Sequence, residues 1–432
     1  TPLGGIRVFA PLERGRPLAV TDLAGAFVLE LPARAVRLVA AGIGFAPETL
    51  EVAAARSVVE FRLTAAPVAL DPVAVTAERA YSTASSDVIR ELDVRLRPRE
   101  SSQELLRLAP GLVIAQHAGG GKAEQIFLRG FDVDHGTDVA ISVDGTPVNM
   151  VSHAHGQGYA DLHFLSPQIV ERADVRKGPY NPRDGDLATA GAVAFRTRDR
   201  LAGPETAARG GSFGTAHVLA LLPVGGGADR SGGYVALAGQ FTDGPFEQPQ
   251  GYWRYNVFGK WTAPLGGGLD LRATASSFAG RWDASGQIPT HAVANGTIGR
   301  YGSIDPSEGG ETARHEVSVG LRSRGMVGPQ WDVQAYAVRY RLQLYSNFTF
   351  FLEDSIRGDG IEQRDGRWQV GGQGTYVRDA GIAGRAGRLS LGAGVRSDFA
   401  DVALYHQQRR TRLEPRVEAE ISQQHLFGWG AE

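Results

Sequence analysis

Three histidines lie close together in the stretch NMVSHAHGQGYADLHF, which begins at Asn149. His153 and His155 are two residues apart, so both imidazoles face the same side of the chain if it is extended there. Neutral imidazole binds zinc, copper, nickel and iron. A closed metal site needs about four ligands, and three nearby side chains are candidates for the other positions: His135, Asp161 and His163. The residue types therefore indicate either a metal site formed by His153 and His155 or a polar loop that hydrogen-bonds to its surroundings.

Composition limits the classes of protein to which the chain can belong. It has 432 residues, with 45 basic and 47 acidic side chains and a formal net charge of -2. Nucleic-acid binding is not expected, because it requires a concentrated basic face. The absence of cysteine fits an oxidising compartment, and no run of about 18 apolar residues could form a transmembrane helix. The histidine-rich stretch offers no nucleophile in an ordered position, so we expect no catalytic residues and no enzyme activity.

Pattern and composition divide the chain into four regions. Residues 1–66 contain β-rich runs separated by Gly, Pro and Asp, and they predict a small β-sandwich in which Asp22 and Gly25 make a turn. Residues 67–80 form an extended linker in this interpretation. Residues 81–200 combine a short helix, in SSQELLRLAPGLVI, with several short strands, and they predict a compact mixed α/β domain.

The fourth region, residues 201–432, alternates between apolar and polar residues in about nine segments. This pattern predicts the antiparallel strands of a transmembrane β-barrel, with a soluble β-sandwich or β-helix as the alternative. In DVQAYAVRYRLQLYSNF we expect Arg339 and Arg341 to point inward, and four residues to lie on the outer, lipid-facing side: Val338, Tyr340, Leu342 and Leu344. Five aromatic residues near strand ends are candidates for an interfacial girdle: Trp253, Trp261, Trp282, Tyr345 and Phe348.

The middle region resembles the plug domain of TonB-dependent outer-membrane receptors. Four motifs follow the family's order: the helix end LLRLAPGL, the strand LRGF, the hairpin VDGTPVN, and VERADVRKGP with the later return strand GAVAFRT. The N-terminal run VTDLAGAFVLELP resembles the carboxypeptidase-regulatory-like domain that precedes some of these receptors. The resemblance implies a mainly β chain: a truncated β-sandwich, a linker, a mixed α/β plug domain and the first strands of an incomplete barrel.

The family resemblance also implies roles for individual residues. An extended segment before the plug looks like a TonB box, which would bind TonB of the inner-membrane energising complex by strand addition: Leu70, Asp71, Pro72, Val73, Ala74, Val75, Thr76 and Ala77. The loop after the VDGTPVN hairpin is implied to face the external ligand: His153, His155, Gln157, Tyr159, Asp161 and His163. Four basic residues are implied to contact the barrel from the plug: Arg129, Arg172, Arg176 and Lys177.

The resemblance implies a receptor in the outer membrane of a Gram-negative-type bacterium, surrounded by outer-membrane lipid, that imports a scarce ligand into the periplasm. The histidines favour a metal chelate such as a ferric siderophore, or a metal ion; no cofactor is required apart from a transition metal in the ligand. A glycan importer of the same architecture is an alternative, and a surface adhesin is an alternative from another class. A plugged transporter has about 22 strands, so we expect an open sheet and a fragment of the barrel.

Overall fold

The chain folds into two compact units, Thr1–Arg79 and Ala80–Glu432. No helix among the described residues is long and apolar enough to cross a membrane. The TonB-box-like segment, residues 70–77, lies outside the described residues. The structure, a computed structural model, describes residues 2–10, 17–32, 34–42, 44–53, 58–66, 85–95, 101, 103–116, 120–132, 135–226, 231–324, 329–382 and 385–431.

The first unit contains a four-stranded antiparallel sheet in the order β2-β1-β3-β4. Three residues, one from each of three strands, form its buried core: Val8, Leu38 and Val52. The extended segments around Phe27 and Phe61 pack against them. The unit is therefore a small β-domain, and its carboxypeptidase-regulatory-like identity stays a prediction. The strands are β1 (Arg7–Phe9), β2 (Ala19–Val20), β3 (Val36–Ala41) and β4 (Glu48–Val52).

The turn that the sequence predicts at Asp22 is present. The Asp22 carboxylate accepts hydrogen bonds from the backbone N–H groups of Ala24 and Ala26, both at 2.9 Å. Gly25 has a φ of 74°, which side-chain-bearing residues rarely adopt. An Asp side chain that satisfies the turn's own amides explains why VTDLAGAF folds locally.

The second unit begins with the plug region, residues 85–197, which contains two small sheets. One sheet has five strands in the order β10-β9-β12-β11-β5, with β9 and β12 parallel, and the other has the order β6-β7-β8. The predicted mixed α/β domain is confirmed in these elements: β5 (Ser86–Arg90), α1 (Glu91–Arg95), α2 (Gln103–Leu106), β6 (Leu112–Ala115), β7 (Gln125–Leu128), β8 (Phe131–Asp132), β9 (Val139–Val143), β10 (Thr146–Pro147), β11 (Val170–Lys177) and β12 (Gly191–Thr197).

A ten-stranded antiparallel sheet follows, one strand more than the pattern predicts, and each strand pairs with the next in the chain. Within the described residues β13 and β22 are its edges, so the sheet is open. The connections 284–308, which contains α3 (Thr290–Ala294), and 347–360 lie at one end, and short turns such as 266–268 lie at the other. The strands are β13 (Glu205–Gly210), β14 (Ala216–Gly225), β15 (Gly232–Thr242), β16 (Tyr252–Leu265), β17 (Leu269–Asp283), β18 (Gly309–Ser323), β19 (Gln330–Ser346), β20 (Ile361–Ile382), β21 (Arg385–Gln408) and β22 (Thr411–Ala431).

The predicted orientation of β19 is wrong. Tyr340, Leu342 and Leu344 face inward and form one buried cluster with Met150 and Tyr159 of the plug. Val338 is also fully buried on this face, so Arg339 and Arg341 point outward. Strict alternation fixes which residues share a face but not which face is inside. Here the interior is filled by an apolar part of the plug, and this reverses the expected polarity.

The neighbouring strand β18 has the apolar outer face that the barrel pattern predicts. Val317 and Val319 are more than half exposed on this side. The two aromatic residues Trp253 and Trp261 are also outward and partly exposed. Trp282 does not belong to an outer girdle: its ring is buried and packs on Gly121 of the plug, where an added Cβ would overlap it.

Candidate functional site

The histidine loop, residues 149–164, is anchored at its first residue. The buried Asn149 side chain accepts a hydrogen bond from the backbone N–H of Ile141 at 2.6 Å. Its Nδ2 donates to three backbone carbonyls, at 2.8, 2.9 and 3.1 Å: those of Gly136, Val139 and Gly158. Sequence analysis did not single out Asn149; an amide, which both donates and accepts, at the end of the VDGTPVN hairpin is the signal that could have identified it.

A close approach of two backbone segments supports this anchor. Gly158 has a φ of 69°, and a Cβ placed on it would lie 2.7 Å from the Cα of Thr137. Gly136, in the facing segment, has a φ of 135°. Glycine is required at such positions because a side chain would be strained and would also collide with the neighbouring backbone. The histidine loop is therefore held against the plug itself.

His153 is fully buried. Its ring stacks on Tyr159, with centroids 4.1 Å apart and planes 7° from parallel. Its Nδ1 accepts the backbone N–H of His155 at 3.1 Å, and its Nε2 lies 3.9 Å from the carboxylate of Asp365 on β20. Burial, followed by the charge of Arg367, lowers the pKa of His153 well below its ordinary value. The imidazole is neutral at physiological pH.

His155 has contacts at both ring nitrogens. Its Nδ1 is 3.0 Å from Oε1 of Gln363 on β20, whose Nε2 donates to the carbonyl of Ala154 at 2.8 Å. Because the glutamine oxygen can only accept, His155 donates from Nδ1. The Nε2 of His155 therefore accepts a hydrogen bond from the Nε2–H of His135, 3.1 Å away. Burial, and then the charge of Lys122, lowers the pKa of His155 to about 2.

The third histidine of the loop lies in a separate contact. His163 Nδ1 is 2.6 Å from the carboxylate of Asp161, which also accepts the His163 backbone N–H at 2.8 Å. The His163 carbonyl accepts a hydrogen bond from Asn256 of β16 at 2.8 Å. Across the part of the chain that the structure describes, no group of three or more His, Cys, Asp or Glu is arranged to hold a metal ion. The imidazole of His155 forms its hydrogen bond with the imidazole of His135 rather than with that of His153.

The remaining predicted loop residues support the fold of the loop. Gln157 accepts the backbone N–H of Ser152 at 2.8 Å through its side-chain oxygen. The Tyr159 hydroxyl accepts the backbone N–H of Ala123 at 2.9 Å, and this tyrosine is fully buried. In this conformation both side chains are engaged within the plug, and their predicted contact with a ligand stays a prediction.

Barrel side chains hold the backbone of the histidine loop. Arg367 of β20 donates to the carbonyls of Val151 at 2.6 Å and Ser152 at 3.4 Å. Arg396 of β21 donates to the carbonyl of Asn149 at 2.8 Å. These two arginines and the aspartates that they contact form the arginine–aspartate cluster: Asp365, Arg367, Arg396 and Asp398. The large sheet thus forms hydrogen bonds with backbone carbonyls of the loop, and not only with its histidines.

Three of the four basic residues predicted to reach the barrel have ion pairs inside the plug. Arg172 lies 3.3 Å from Asp174, Lys177 lies 2.6 Å from Asp87, and Arg176 pairs with Asp184. Arg129 has a positive φ of 51° and donates its backbone N–H to the Gly111 carbonyl at 3.0 Å. Arg129 follows β7, whereas the other three lie on β11, close to plug carboxylates. The contacts to the histidine loop described above come instead from barrel residues: Asn256, Gln363, Arg367 and Arg396.

Lowering the pH should open the histidine loop. His153 and His155 stay neutral when folded, whereas an exposed imidazole binds a proton below its ordinary pKa of 6.5. The opened state therefore gains protons as the pH falls. The free energy that favours the closed loop decreases by about 1.4 kcal/mol per histidine between pH 7.5 and 5.5. We expect amide-exchange protection at residues 151–156, corrected for intrinsic rates, to fall about 100-fold over this range. Equal pH dependence in His153→Asn/His155→Gln would contradict this assignment.

Known proteins resemble this arrangement. Residues 79–192 match the TonB-dependent Receptor Plug Domain. The ferric citrate transporter FecA is 17% identical, with a TM-score of 0.63 over 80% of this chain and 52% of that one. The ferripyoverdine receptor of Pseudomonas aeruginosa is 12% identical, with 0.59 over 80% and 48%, and the copper transporter OprC is 15% identical, with 0.57 over 80% and 52%. The chain spans about half the length of these structures, and identities this low establish the fold alone.

Proposed function

The chain carries a TonB-dependent receptor plug domain and the fold of that receptor family, and on this premise we propose that it serves the import of a metal chelate across an outer membrane. The plug and the large sheet would together bind the chelate from outside. The segment at residues 70–77 would bind TonB and transmit the force that moves the plug. No part of this scheme requires chemistry on the ligand.

The observation that carries the proposal is the way the large sheet holds the plug. Barrel side chains such as Arg367, Gln363 and Asn256 donate to plug carbonyls. Hydrogen bonds of this kind can be exchanged for bonds to water when the plug moves, so each has a small net free energy. A plug held in this way is stable at rest and can be rearranged by a pulling partner.

A metal chelate is the ligand class that the comparisons favour. The similar structures are named for ferric citrate, ferripyoverdine and copper. Direct ligation of a bare ion by His153 and His155 stays a prediction, and it would require His155 to release Gln363 or His135. A glycan importer has less support from the loop, because Tyr159 is buried against His153 and offers no open aromatic surface.

Calorimetry on the purified full-length receptor tests this ligand class. We expect at least one member of a ferric siderophore panel to bind, and His153→Ala/His155→Ala to weaken that binding about tenfold or more through loss of two polar contacts. Zn²⁺ and Cu²⁺ without a chelator are titrated in the same way, to test whether the receptor binds a bare ion. His315→Ala is the matched control, since His315 lies on the outer face of β18 and contacts Ser277 at 2.9 Å.

Two results would contradict the proposal at different levels. If no ferric chelate binds the wild-type receptor, the proposed ligand class is wrong. If every ligand binds the wild type and the double variant equally, His153 and His155 serve only the structure of the loop, and import must depend on other residues.

A further inference from the structure

A cleft of about 750 Å³ lies on the large sheet, and its outward rim carries arginines. Strand register places its charged residues at one level of the large sheet, since Arg281 pairs with Glu311, Glu311 with Gln343, and Gln343 with Arg364. These residues share a face with the exposed Val317, so they point away from the plug. Four guanidinium groups line the arginine cleft: Arg281, Arg339, Arg341 and Arg364.

The arginine cleft carries a net positive charge. Its four arginines face two outward carboxylates, Glu311 and Asp401, which leaves two positive charges. The third carboxylate of the lining, Asp365, points inward and is paired with Arg367 at 2.5 Å. Among the described side chains, none of the four arginines forms an ion pair. Their guanidinium groups are available to an anion from outside.

The cleft lies immediately above an apolar band. On β19 the outward residues from Trp331 to Ala337 are apolar, and Arg339 follows Trp331 by eight positions. At about 3.3 Å per residue and a tilt of about 40°, this separation is roughly 20 Å along the membrane normal. Over the described strands β16, β17 and β18, this face carries no charged residue between the cleft and the short-turn end. The arginines therefore lie where lipid headgroups begin.

The leaflet follows from the connections. β19 runs from the short-turn end towards the long connection 347–360, and Arg341 lies in the half of the strand next to it. Barrels of this kind have short periplasmic turns and longer extracellular loops. The cleft therefore faces the headgroups of the outer leaflet.

The lining suits a phosphorylated headgroup. Arginine binds phosphate through two parallel hydrogen bonds, and the Arg339 guanidinium is held over the ring of Trp368, 5.5 Å from its centroid. Small residues in the lining, among them Ala279, Ala313 and Gly366, leave the space that a sugar or glycerol could occupy. Trp253 borders the same cleft and suits the interface between headgroups and acyl chains.

We propose that the arginine cleft binds the phosphate group of an outer-leaflet lipid. The assignment rests on the membrane location in the proposed function but not on the identity of the imported ligand. Bound lipid would neutralise the two remaining positive charges of the cleft and fix the sheet at a defined depth in the outer leaflet.

Binding of defined lipids to the full-length receptor in detergent, followed by native mass spectrometry, tests this assignment. The probes are lipid A with two phosphates, the same lipid after removal of its phosphates, and inorganic phosphate. We expect only the phosphorylated lipid to bind tightly. Arg339→Gln/Arg341→Gln should weaken it about 25-fold, at roughly fivefold for each arginine near the membrane surface. Arg378→Gln, an exposed position on the face of β20 that carries Arg364 but at the short-turn end, should change nothing.

Several results would overturn the assignment. Equal affinity in the double variant, or equal binding of the dephosphorylated lipid, would exclude phosphate recognition by these arginines. Inorganic phosphate that binds as tightly as the lipid would make the cleft a site for soluble anions. A receptor that fractionates with the outer membrane and imports its ligand, yet shows one of these results, would refute the lipid site and leave the proposed function intact.

Discussion

Replacing Arg367 with Leu should lower the free energy of unfolding of the plug–barrel unit by about 3–5 kcal/mol, the cost of leaving a buried charge without its partner. Arg367 is fully buried and contacts both oxygens of Asp365, at 2.8 and 2.5 Å. Asp398 keeps Arg396 as a partner, whereas Asp365 would lose its charged partner. The carbonyls of Val151 and Ser152 would lose their donor as well. Denaturant unfolding in detergent, with hydrogen exchange at the histidine loop, measures both effects.

Two further variants separate the causes. Asp365→Leu/Arg367→Leu removes both charges and should recover much of the stability, because a buried ion pair contributes little beyond a matched apolar pair. Arg364→Leu lies on the same strand but on the outer face, and it should change stability by less than about 0.5 kcal/mol. If Arg367→Leu costs no more than Arg364→Leu, the arginine–aspartate cluster does not hold the plug.

Replacing Val75 with Pro should abolish ligand uptake and leave ligand binding unchanged. The sequence LDPVAVTA predicts an extended segment that pairs with a strand of TonB. Proline removes a backbone donor and fixes φ, so it breaks such pairing at the centre of the segment. Uptake by energised cells and binding by the purified receptor should therefore separate.

Val68→Pro is the matched control, because it makes the same Val-to-Pro change in the predicted linker outside the eight-residue box. It should import at the wild-type rate. Uptake by Val75→Pro at the wild-type rate would show that residues 70–77 are not the TonB-binding segment.

Local patterns predicted much of this fold. The Asp22 turn, the helix around Leu105 and the plug strands β9, β11 and β12 form within segments whose own residues favour them. The antiparallel strands of the large sheet also follow from alternation along each segment. These elements depend on neighbours within a few residues, and a single sequence contains that information.

Long-range contacts could not be predicted in this way. The inward face of β19 was assigned wrongly, because the apolar partners of Tyr340 and Leu342 are plug residues almost 200 positions earlier in the chain. The pairing of His155 with Gln363 joins residues 208 positions apart. Backbone carbonyls, such as that of Val151, carry no signature in the sequence, so the barrel arginines that bind them could not be matched to the plug.

The most direct test of import is the uptake of radioactive iron, supplied as the ferric chelate that binds best, by cells that express the full-length receptor. We expect saturable accumulation in the periplasm when TonB is present, and none in cells that lack TonB or carry Val75→Pro. Accumulation at the same rate with and without TonB would contradict the proposed function, because the plug would then move without a pulling partner.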